Sequence, residues 1–140
     1  MAANIQPIWT ATPDIQFNSY IVTANTTADL TAGTNYLLFT ADATNGGYVQ
    51  KLRLKATPAG NTTATVLRLW INNGATTGTA TNNILFDEIT LPAVTASATA
   101  ATTAYEIPLN FALPAGYKLY ATIHTGSTNG WAATVIGGKY

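Results

Sequence analysis

The clearest pattern of hydrophobic and polar positions lies between Val49 and Asn73. In V-Q-K-L-R-L-K-A, Leu52, Leu54 and Ala56 fall on one side of an extended backbone and Lys51, Arg53 and Lys55 on the other, because strand side chains alternate with period two. In T-V-L-R-L-W-I-N-N, Leu67, Leu69 and Ile71 share one face, while Val66, Arg68, Trp70 and Asn72 take the opposite one. The stretch between them, Thr57 to Ala64, carries Pro58, Gly60 and Asn61, each a turn former. The pattern predicts a β-hairpin with one buried face.

The rest of the chain repeats the same kind of signal. Phe17 to Thr23, Tyr36 to Ala41, Ile84 to Leu91, Tyr105 to Phe111, Tyr117 to Thr125 and Trp131 to Ile136 read as further strands, with Asn45-Gly46-Gly47 and Pro114-Ala115-Gly116 as turns. Pro108 places its strand at an edge or a bulge. Ala93 to Ala104 is low in complexity, and its Ser and Thr residues, with no stripe at helical spacing, make it a long loop. Pro7 and Pro13 set residues 1–13 apart as an extended arm before a single domain over residues 14–140.

Eight strands and no long helix predict an all-β, two-sheet antiparallel β-sandwich, with jelly-roll topology favoured over an immunoglobulin-like Greek key. In that arrangement strand 1 pairs with 8 and 3 with 6 in one sheet, and 2 with 7 and 4 with 5 in the other. The predicted core includes Leu52, Leu54, Leu67, Leu69, Ile71, Leu119 and Ile123.

Composition changes the picture in one respect, charge. Only 9% of the 140 residues are charged, the formal net charge is zero, and 47% are hydrophobic. A surface so poor in charge lacks the usual electrostatic protection against self-association, so much of it is expected to be covered by neighbours. Zero net charge argues against nucleic acid as a partner. Cysteine is absent, which excludes disulfides, thiolate ligands and a cysteine nucleophile. No apolar run approaches the roughly 20 residues of a membrane span, and the amino terminus lacks a signal-peptide pattern. A soluble, unprocessed protein with no membrane partner is expected.

Candidate chemistry is sparse. Asp87 and Glu88 are adjacent in a strand and point to opposite faces, so they are no glycosidase pair, although either has Glu106 as a possible partner on a neighbouring strand. His124 is the only histidine, which rules out a multi-histidine metal site, and Ser19, Ser97 and Ser127 occupy no nucleophile-elbow context. No catalytic residue, metal or cofactor is expected. Trp70 beside Arg68 admits three readings: a sugar-stacking platform, an interface anchor, or packing within the sandwich. The remaining interface candidates are Ile5, Ile8 and Trp9 on the arm and the basic strip Lys51, Arg53 and Lys55, which is suited either to an acidic partner or to guarding a sheet edge.

Several stretches, A-A-N-I-Q-P-I-W, V-Q-K-L-R-L-K, L-R-L-W-I-N-N-G, L-F-D-E-I-T-L-P and I-P-L-N-F-A-L-P-A-G-Y-K-L-Y-A-T-I, resemble a family of short, cysteine-free structural proteins of tailed bacteriophages. The resemblance covers most of the chain and rests on strand and turn motifs. It implies a non-enzymatic virion protein, made in the host cytoplasm and placed on the capsid exterior. There a small β-sandwich decoration or cement protein would bind the major capsid protein and itself, with a trimer favoured. A carbohydrate-binding module of a fibre or tail is the alternative.

Overall fold

A computed structural model describes residues 10–140. Eight strands follow in order: β1 (Thr12–Ile21), β2 (Tyr36–Thr40), β3 (Gly47–Ala56), β4 (Thr65–Asn72), β5 (Asn83–Leu91), β6 (Ala104–Leu113), β7 (Lys118–Ile123) and β8 (Trp131–Lys139). A single 3-10 turn, Ala80–Asn82, precedes β5. The strands form two four-stranded antiparallel sheets of order β1-β8-β3-β6 and β2-β7-β4-β5. This order contains four pairings expected from the sequence, β1 with β8, β3 with β6, β2 with β7 and β4 with β5.

The hairpin expected between Val49 and Asn73 is not formed. β3 has β8 on one side and β6 on the other, and β4 lies in the opposite sheet between β7 and β5. Thr57 to Ala64 is the loop that crosses between the sheets, and eight residues exceed the two to five of an ordinary hairpin loop. It is tied to the long loop after β5, since Thr62 N–H donates to the Val94 carbonyl (2.9 Å) and Val94 N–H to Thr62 Oγ1 (3.0 Å). Ala96 N–H adds a bond to Asn61 Oδ1 (2.9 Å). The low-complexity stretch after Pro92 is thus a loop, as expected, and it carries the chain back to the first sheet.

The alternation in β3, β4 and β7 aims one face of each strand into a shared core. Leu52, Leu54, Ala56, Leu67, Leu69, Leu119, Ala121 and Ile123 are fully or almost fully buried there with Phe39, Trp131, Ala133 and Val135. Of the predicted core only Ile71 is partly buried, packed at its margin. Burial of this kind contributes roughly 1.5–3 kcal/mol per large aliphatic side chain.

Two local devices shape the ends. Asn45-Gly46-Gly47 is a turn, and Gly46 has φ +79° with an ideal Cβ only 2.4 Å from the Leu113 carbonyl oxygen, so no larger residue fits without distortion. The β1–β2 loop winds around buried Asn25, whose Nδ2 donates to Asp29 O, Ala32 O and Asn35 Oδ1, while its Oδ1 accepts from Thr27. Thr12 and Pro13, read above as the end of the arm, pair with Lys139 and Gly138 in β1. Proline is tolerated because β1 is an edge strand. The arm residues Ile5, Ile8 and Trp9 lie outside the described residues.

Candidate interaction surfaces

The sandwich has two outward faces, and the candidate residues divide between them. On the β1-β8-β3-β6 sheet, the polar side of β3 presents Lys51, Arg53 and Lys55 as alternation predicts. β3 is an interior strand, which removes edge protection as the reason for the strip. Its charge is met within the chain. Glu106, opposite Arg53 on β6, accepts from Lys51 Nζ (3.1 Å) through Oε2 and from Arg53 Nη1 (2.9 Å) through Oε1. The Lys51 hydrogen bond, then its charge, and then Arg53 hold the Glu106 carboxyl below the usual glutamate value. Lys55 donates to the Thr102 carbonyl. The strip is a partly neutralised network, with a shallow hollow of about 290 Å³ beside it lined by Gln50, Lys51, Glu106, Pro108 and Asn110.

Arg68 and Trp70 stand on the outward side of the other sheet, so they and the basic strip do not form one site. Arg68 Nε donates to Glu88 Oε1 (2.8 Å), and its Nη1 lies 3.5 Å from His124 Nδ1. Trp70 is only 6% exposed. It sits between Tyr120 on β7 and Leu85 on β5, and its Nε1–H donates to buried Thr122 Oγ1 (3.1 Å). Trp131 is in the inter-sheet core, tilted against Tyr105 with ring centroids 5.8 Å apart. Neither tryptophan lines an open groove, so packing within the chain is the reading of Trp70 that the geometry supports.

The carboxylates and the histidine do not converge. Glu88 faces outward on one sheet and Glu106 on the other, while Asp87 Oδ1 accepts from the Glu88 N–H. Ser127 serves the loop at Asn129 and Thr63, and Ser97 the loop at Thr99 and Ala100. Among the described residues no group of three or more His, Asp or Glu is placed to hold a metal ion, and no helix is long and apolar enough to cross a membrane.

Sequence reasoning missed the apolar surface. Ile15 and Phe17 are 60% and 69% exposed on β1, and Ile84, Leu85 and Phe86 are 64%, 42% and 45% exposed on β5. In β1 the alternation runs opposite to a usual core strand. Asp14, Gln16 and Asn18 are half-buried and the apolar residues face water. On β5 the signal was present as three consecutive apolar residues before Asp87 and Glu88, a run in which alternation cannot hide every side chain.

Fold and surface together define a class: an all-β sandwich whose outward faces carry ion pairs and exposed apolar side chains. Compared with known proteins, the chain matches no family model and no curated protein. Two solved structures, those of infectious bursal disease virus strains Gx and Gt, align with 97% and 98% of it at 15% and 12% identity, with TM-scores of 0.36 and 0.32. The chain spans 36% of the length of each of those chains.

Proposed function

We propose that this chain is a non-enzymatic structural protein of a virion, a capsid decoration or cement protein that binds and stabilises the lattice of the major capsid protein from outside. The observation that carries the reading is the surface. A chain with 9% charged residues leaves Ile15, Phe17, Ile84, Leu85 and Phe86 exposed, and exposed apolar residues on a charge-poor surface mark contact with other proteins. A tailed-phage capsid as the kind of assembly rests on the resemblance of the strand and turn motifs alone. The basic strip and the Ile15–Phe17 side of the same sheet are the surface proposed to meet the capsid.

The test is co-sedimentation of the purified chain with decoration-free capsids of the virus that encodes it. Saturable binding at a fixed ratio to the major capsid protein is expected. Replacement of Phe17 by Ser and Arg53 by Glu should weaken it by at least about tenfold, as loss of central interface contacts does. Capsids that bind none of the chain, or saturable binding to a saccharide in a glycan screen with none to capsids, would overturn the reading.

A further inference from the structure

Gly138 is buried although it faces outward. Along β8, Trp131, Ala133 and Val135 point into the core, so Gly138 shares the outer face of the sheet with half-buried Ile136. What covers it is the start of the described chain, because a Cβ at Gly138 would collide with the Oγ1 and Cβ of Thr10. Pro13 of β1 is the register partner of Gly138, yet Thr10, three residues before Pro13, already lies over β8. The chain therefore does not run straight off the end of β1. It doubles back over the outward face of the β1-β8-β3-β6 sheet.

That heading leads to Tyr48. Across the sheet, Pro13, Gly138, Tyr48 and Ala112 stand opposite one another on β1, β8, β3 and β6, and they form an outward row without charge. The next row, Ile15, Ile136, Lys51 and Pro108, brings in the first cation. Tyr48 is half-buried, and its hydroxyl donates to Asn110 Oδ1 on β6 (3.4 Å), which lays the ring along the sheet. Neighbouring strands are about 4.8 Å apart and consecutive Cα atoms about 3.8 Å. A chain that crosses from β1 to β8 between Thr12 and Thr10 thus arrives over Tyr48 one or two residues earlier, at Trp9 and Ile8.

We propose that the amino-terminal arm is a strap on its own sheet, with Trp9 packed on the Tyr48 ring and residues 5–8 crossing β3 toward Ala112 on β6. The composition of the segment suits the row beneath it. Residues 2–9 include Ile5, Ile8 and Trp9 and no charged side chain, and burial against an uncharged row takes that apolar surface out of water. A chain laid across strands, and not beside one, makes no ladder bonds, so the missing N–H of Pro7 is no obstacle there. The absence of a side chain at Gly138 is what lets Thr10 approach the strand so closely. The contact requires only this chain, so it stands apart from any binding to a capsid.

Nuclear Overhauser contacts in the full chain test it without a variant. Cross-peaks between the Trp9 indole and the Tyr48 ring are expected, and they should persist on dilution. In an equimolar mixture of isotope-labelled and unlabelled chains, none of them should pass a filter that selects contacts between chains. A double-mutant cycle in urea adds an energetic readout. Trp9→Ala and Tyr48→Ala should be non-additive by about two- to tenfold in the unfolding equilibrium constant, the range for an aromatic pair. Tyr48→Leu takes the place of Tyr48→Ala if the latter does not fold as judged by circular dichroism. Absence of the Trp9–Tyr48 cross-peaks, their appearance only between chains, or strict additivity of the two substitutions would each overturn the proposal.

Discussion

Leu69 illustrates how one residue reports the register of a whole strand. It is fully buried between Ala121 on β7 and Asp87 on β5, while its neighbours Arg68 and Trp70 take the other face. Leu69→Ala should cost about 2–5 kcal/mol in urea unfolding, through lost transfer energy and the cavity left behind. A loss under about 0.5 kcal/mol, typical of surface sites, would mean that the register is wrong. The inward set was legible because aliphatic residues alternate cleanly with Lys and Arg on β3 and with Arg on β4. Trp70 was less legible, because its cover comes from elements far apart in the chain. Thr122 and Tyr120 lie some 50 residues away from it, and local sequence carries no sign of that approach. The partner of Lys51 and Arg53 was hidden in the same way, since Glu106 meets them only through the β3–β6 pairing.

Among the elements, the edge strands differ most from what alternation alone foretells. Apolar residues alternate with polar ones in β1 as they do in β3, yet the polar residues turn inward because Gln16 is needed at the open side between β1 and β2. Its Nε2 donates to the Thr40 carbonyl at 2.9 Å and to Asp14 Oδ2 at 2.7 Å, and its Oε1 accepts from the Thr40 N–H at 2.8 Å. Gln16 therefore acts as one residue of a missing strand beside β2. Gln16→Ala should lower stability by about 1–3 kcal/mol, the scale for leaving half-buried backbone groups unpaired. It should also speed hydrogen exchange at Thr40 before the rest of β2. If the Thr40 amide exchanges no faster in the variant, the side chain does not close that edge. Pro108 behaves as read from sequence, because proline's missing N–H confines it to edges and bulges whatever the surrounding fold.

For the whole molecule, stability should depend on pH through a few carboxylates held by local donors. Asp29 is lowered from its ordinary 3.8 chiefly by the Thr31 hydroxyl and then the Thr31 N–H, and Asp42 from 3.8 chiefly by the Asn45 and Thr44 N–H groups. Glu106 is lowered from 4.5 chiefly by Lys51. Each is depressed in the folded state, so the unfolded chain binds protons more readily. The stabilisation is present above 3.8 to 4.5 and is lost as pH falls through the lower folded values. A thermal midpoint that is level from neutral pH to about 5 and then declines on acidification is expected, with a smaller decline in Glu106→Gln. An unchanged midpoint down to about pH 3 would contradict the assignment. The sequence by itself determined that eight strands form, the inward faces of β3, β4 and β7, the place of Pro108 at an edge or a bulge and the loop that follows Pro92, because alternation, proline and turn chemistry act within a few residues. Tertiary structure decided that β3 and β4 form no hairpin, that Glu106 meets the basic strip, and that Trp70 is covered. Those outcomes depend on contacts between segments distant in sequence, where the free energy of closing the sandwich outweighs the local preference of any one run.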